Sequence, residues 1–134
     1  MSSLNEAESP EHKKLVKGLI DYLNEKGFKP FCAAYDDFKQ CEPNSERIAD
    51  VKGQNTQELV AIGEAKTCND LDNERTDAQF KIFSNLAMNG GNSKGQTCPF
   101  YIGIPKSCIS ELQQNLKRLG LDQKPNIYIV YFEI

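Results

Sequence analysis

The stretch Arg47-Ile-Ala-Asp-Val-Lys, followed by Leu59-Val-Ala-Ile-Gly-Glu-Ala-Lys-Thr, constrains this chain more than any other feature. Both runs read as β-strands, and the polar residues Asn55 to Glu58 between them read as a turn. Side chains alternate faces along a strand, so Glu64 and Lys66 point the same way. If Asp50 stands opposite Glu64, two carboxylates and one ammonium converge on one sheet face. Such a cluster can hold a divalent metal and activate a water beside it.

The spacing of acid and lysine is not itself distinctive. An acid two residues before a lysine also occurs at Glu11/Lys13, Asp37/Lys39, Asp50/Lys52 and Asp122/Lys124. Only the Glu64 copy follows an apolar β-like run, with an acid on the preceding strand and a helical pattern after it. In that context the chain resembles the PD-(D/E)xK nuclease superfamily, the fold of many restriction endonucleases and of Holliday junction resolvases. The matching motif residues are Asp50 as the first acid and Glu64-Ala65-Lys66 as the second acid and lysine. Ala49 stands where the family pattern has proline.

Around the hairpin, the pattern predicts helix, three strands, helix, strand, helix, strand. Ser9-Pro10-Glu11 supplies a cap, a first-turn proline and an acid suited to the helix dipole. Leu15, Val16, Leu19, Ile20 and Leu23 follow at helical spacing, and Gly27 stops the helix. Phe28 to Tyr35 reads as a strand, with Pro30 marking it as an edge. A second helix is expected from Glu74 to Met88, carrying Phe80, Phe83, Leu86 and Ala87. Asn89 to Gly95 reads as a flexible break, and Cys68 to Asn73 as a polar loop. Pro99 to Ile104, Ser107 to Leu119 and Asn126 to Ile134 read as strand, helix and strand, which implies parallel pairing with a right-handed crossover. The expected class is α/β: a restriction endonuclease-like αβββαβ core, a mixed sheet flanked by helices, with an added C-terminal helix and strand. Residues 1 to 8 are expected to be loose and residues 9 to 134 to form a single domain.

The 134 residues suit one core, and no apolar run approaches the roughly 18 residues of a membrane span. The N-terminus is polar and acidic, unlike a signal peptide. Five cysteines form no CxxC pair, and the single His12 gives no Cys/His zinc spacing. An odd count without a framework suggests reduced thiols and a cytoplasmic location, with Cys32 and Cys98 in the core. A net charge of −3 argues against a general nucleic-acid coat protein. It argues less against a nuclease, whose metal-binding acids lower the total while a basic rim still meets phosphates. Lys13, Lys14, Lys17, Lys94, Lys106, Lys117 and Arg118 are candidates for that rim.

The resemblance implies a Mg²⁺-dependent nuclease, with Mn²⁺ as a substitute and DNA expected over RNA as partner. Asp50, Glu64 and the backbone carbonyl of Ala65 would bind the metal, and Lys66 would orient the attacking water. Two outer residues join the candidate catalytic set. Glu11 lies four residues before Leu15, on the expected inner face of the first helix, where many family members place a further metal-binding acid. Its plainer reading is a carboxylate at the helix start. Gln79 lies four residues before Phe83 and matches a glutamine typical of the resolvase-like branch; it reads equally as a core amide. Arg75 lies one turn earlier and is a phosphate-contact candidate. His12 reads as a capping or surface group. The rival readings are a catalytically silent nucleic-acid-binding or protein-interaction module, and a domain whose acids are structural ion-pair partners. A chain this small offers little surface for reading sequence, which suggests a homodimer or a larger complex.

Overall fold

The computed structural model describes residues 9–134; the loose segment expected at residues 1 to 8 lies outside the described residues. The elements follow in the expected order. They are α1 (Pro10–Glu25), β1 (Lys29–Ala33), β2 (Val51–Gln54), β3 (Val60–Ala65), α2 (Glu74–Ser84), β4 (Phe100–Pro105), α3 (Ile109–Arg118) and β5 (Ile127–Phe132). Short 3₁₀ turns at Cys68–Asp70 and Lys106–Cys108 precede α2 and α3.

The strands form one five-stranded mixed sheet in the order β1-β2-β3-β4-β5. β1, β2 and β3 are antiparallel neighbours, while β3, β4 and β5 run parallel. Pro30 therefore sits on an edge strand, the place in a sheet that best tolerates proline. The β2–β3 turn is held by Asn55, whose backbone N–H donates to the Leu59 carbonyl and whose Oδ1 accepts from the N–H groups of Gln57 and Leu59.

Each sheet face carries its own core. Leu15, Val16, Leu19, Ile20 and Leu23 of α1 pack with Val51, Ala61, Ala65, Tyr101 and Val130. On the other face, Phe80 and Phe83 of α2 and Leu112 and Leu116 of α3 pack with Ile62, Phe100, Ile102 and Ile104. The alternation of Ala61 and Ile62, or Tyr101 and Ile102, is the period of two that assigns residues to the two layers. Gly103 explains how closely α1 approaches: a Cβ there would lie 2.8 Å from Leu19 Cγ. A helix seated this tightly carries its N-terminal residues to a fixed place at the sheet's end.

Four expectations need correction. α2 stops at Ser84 rather than near Met88. Past it, Ala87 bridges Thr97, and the backbone N–H of Met88 donates to the Gln96 carbonyl. The segment 89–95 is tied down: Asn92 N–H donates to Glu58 Oε1 and the buried Ser93 hydroxyl donates to the Gln57 carbonyl. β1 is shorter than the run from Phe28 to Tyr35. Finally, the thiols are not all reduced. Cys32 and Cys41 form a disulfide, as do Cys68 and Cys108, leaving Cys98 free and buried. Cys32 and Cys98 are core residues, as expected. No helix among the described residues is long and apolar enough to cross a membrane.

Candidate functional site

The β2–β3 ladder pairs Val51 with Gly63. One step further, Asp50 N–H donates to the Gly63 carbonyl at 3.1 Å, which brings Asp50 opposite Glu64. The two acids interlock through the backbone. Asp50 N–H donates to Glu64 Oε1 at 3.2 Å, and Ala65 N–H donates to Asp50 Oδ2 at 2.8 Å. Lys66 Nζ lies 3.7 Å from Glu64 Oε2. All three side chains are buried, and Lys66 is fully so. Burying a charge is costly unless it is paired and hydrogen-bonded, and this arrangement supplies both.

The helix supplies a histidine rather than an acid. His12 is buried, and its Nε2 lies 3.1 Å from Asp50 Oδ2. Glu11, expected on the inner face, is exposed in the first turn. A helix turns about 100° per residue, and His12 rather than Glu11 is centred on the buried stripe. Relative to His12, the buried residues Leu15, Val16, Leu19, Ile20 and Leu23 fall at i+3, i+4, i+7, i+8 and i+11. That run was visible in the sequence and identifies His12 as the inward residue. Glu11 is therefore corrected from an inner candidate ligand to an exposed helix-start carboxylate.

Gln79 is buried on α2, as expected, and its Oε1 has no hydrogen-bond partner among the described residues. Ala65 is fully buried at the end of β3. Arg75 pairs with Asp70 at 3.6 Å. Much of the expected basic rim is neutralised locally. Lys13 pairs with Asp36, Lys17 with Asp21, Lys106 with Glu133 and Arg118 with Asp77. Lys14, Lys94 and Lys117 make no ion pair among the described residues and are the cations left available to phosphate. Burial pushes the Cys98 thiol pKa up, which disfavours the reactive thiolate.

Asp50 and Glu64 place carboxylate oxygens on the same face of the hairpin. Asp50 Oδ2 is engaged by Ala65 N–H and His12, while Asp50 Oδ1 accepts no hydrogen bond from the described residues. Sulfur is offered elsewhere: Cys68, Cys108 and Glu111 place donor atoms within 4.8 Å of one another. The Cys68–Cys108 disulfide removes both thiolates from that group. Compared with protein-family models, with curated proteins and with solved structures, the chain has no significant match.

Proposed function

We propose that this protein is a metal-dependent nuclease with a restriction endonuclease-like core, hydrolysing phosphodiester bonds in DNA. The observation that carries this reading is the buried cluster at the end of the β2–β3 hairpin. Two carboxylates face each other across a ladder and a lysine on the same strand is drawn in beside them. A fold gathers such groups at considerable desolvation cost, and buried charged clusters are found at functional sites.

A bound Mg²⁺ would lower the pKa of its water and offset charge on the phosphoryl oxygens. Asp50 and Glu64 would hold the ion, with the Ala65 carbonyl as third oxygen. Their positions are fixed by the Asp50-to-Gly63 and Ala65-to-Asp50 hydrogen bonds, so little reorganisation accompanies binding. His12 would orient Asp50 by its contact with Oδ2, and the Asp50 carboxylate would help hold the ion. Lys66, held near Glu64, would orient the attacking water and stabilise charge in the transition state. Gln79 contributes a buried amide on the helix covering the same face. Lys14, Lys94 and Lys117 would meet the backbone phosphates. A homodimer would supply recognition surface that one chain lacks. A cytoplasmic setting belongs to the same proposal and is the part the disulfides argue against.

The alternative is a silent binding module on the same fold, for which the modest free basic surface is the favouring observation. A cleavage panel separates the two: linear, nicked, branched and single-stranded DNA, with RNA as counterpart, each with Mg²⁺, Mn²⁺ or EDTA. The nuclease reading expects metal-dependent products from at least one substrate. Binding without cleavage in either metal supports the silent module.

A further inference from the structure

Beside the acid cluster, on the sheet face away from α1, lies a cavity of about 260 Å³. Lys52 and Ile62 share its wall and are paired residues of β2 and β3. Two residues along the ladder from the Asp50–Glu64 position, at ~3.3 Å per residue, this is a separate site on the same hairpin. We propose that the cavity binds a compact planar aromatic molecule carrying one anionic group, with the anion on Lys52 and the ring between Phe31 and the apolar wall.

Charge gives the first argument. Lys52 is half-buried, and among the described residues its ammonium donates only to neutral oxygens: Asn44 Oδ1 at 2.6 Å and the Glu42 carbonyl at 3.3 Å. It makes no ion pair among the described residues. Two lysines, Lys39 and Lys52, line the cavity against one glutamate, Glu42, in a chain whose net charge is −3. Glu42 acts on Lys52 from beyond ion-pair contact, and a partly desolvated cation with no carboxylate in direct contact gains more from an incoming anion than a solvated one does. Shape gives the second argument. β1 slips register between Pro30 and Cys32, making Phe31 the bulged residue, and bulges re-aim side chains. Phe31 lines the cavity and is 42% exposed. Val60, Ile62, Leu86 and Met88 form the apolar side. A flat ring stacks on an aromatic face and fills a slot that a branched chain would not. The volume sits just under the ~300–1,000 Å³ of typical ligand sites, which sets the ligand at one or two fused rings.

The test uses naphthoate and its uncharged partner naphthamide, titrated into the isotope-labelled full chain without metal and followed by amide and methyl resonances. Naphthoate is expected to bind saturably and to shift Ile62, Leu86 and Met88 first. It should bind at least about ten-fold more tightly than naphthamide, the difference between a charge-assisted and a neutral hydrogen bond. Lys52→Met should abolish that preference, Lys52→Arg should keep it, and Phe31→Ala should weaken both ligands. Equal binding of acid and amide overturns the proposal, as does absence of binding at millimolar naphthoate, or shifts that scatter to Tyr128 and Tyr131 on the opposite edge. The comparison of the two ligands on the unaltered chain stands even if a variant fails to fold, and none of these readouts depends on nuclease activity.

Discussion

Lys66→Met removes the ammonium from a fully buried position while keeping most of the side-chain volume. The cost is therefore electrostatic: Glu64, itself buried, loses the cation 3.7 Å from its carboxylate. Removing one member of a buried ion pair costs ~3–5 kcal/mol, against a total stability of ~5–15 kcal/mol for a domain of ordinary size. With a urea m-value of ~1–3 kcal/mol/M, the unfolding midpoint should fall by roughly 2 M. Glu64→Gln added to Lys66→Met should restore much of this, because the buried Glu64 side chain then no longer carries the charge that Lys66 offsets. The introduced amide oxygen would still accept from Asp50 N–H. The double variant should be more stable than Lys66→Met alone, with a coupling of about 2 kcal/mol. Urea unfolding without reductant, followed by circular dichroism, measures all four corners of the cycle. If the two substitutions simply add, the buried charges do not act as a pair and the account of the site's electrostatics is wrong.

Other outcomes follow from the same geometry. Mg²⁺ or Mn²⁺ at 100 times its Kd should stabilise the protein by ~2.7 kcal/mol, and Asp50→Asn should remove most of that gain in a thermal melt. His12→Ala should lower single-turnover cleavage because Asp50 loses its orienting contact, whereas Glu11→Ala, at an exposed position, should leave it within about two-fold of the starting rate; equal effects would put the helix register of the argument in doubt. Cys68 and Cys108 close a longer loop than Cys32 and Cys41, at sequence separations of 40 and 9. On the chain-entropy estimate these bonds contribute ~4 and ~2.6 kcal/mol, so the Cys68→Ser/Cys108→Ser pair should lower the urea midpoint more than Cys32→Ser/Cys41→Ser.

The hairpin was legible because two independent signals agreed: apolar strands around Asp50 and Glu64, and an Asn-led polar turn between them. α1 was legible for the same reason, with Ser9 capping a regular apolar stripe. The inward residue is displaced by one because Glu11 matches only Leu15 at i+4 and Leu19 at i+8, whereas His12 matches the whole stripe. Two spacings leave the phase of a helix open; five fix it. The end of α2 was hidden because Leu86 and Ala87 keep helical spacing while Asn85 already caps the helix. What draws the chain away is tertiary: the Ala87–Thr97 bridge and the anchoring of residues 92 and 93 to the β2–β3 turn. The disulfides were illegible because five cysteines without a framework do not declare partners. Cys68 meets Cys108 only once β3 and β4 lie side by side and bring their following turns together.

The central claim is that Asp50 and Glu64 hold a metal that this protein uses to cut DNA. The most direct measurement is single-turnover cleavage at saturating enzyme by the unaltered chain and by Asp50→Asn, with DNA affinity titrated in parallel in Ca²⁺. The account predicts Mg²⁺-dependent cleavage by the first, a loss of about 10² or more in rate for the second, the scale of removing one electrostatic catalytic group, and similar affinities for both. Cleavage by Asp50→Asn at the unaltered rate, or none by either protein in Mg²⁺ or Mn²⁺ on any DNA that they bind, would contradict it.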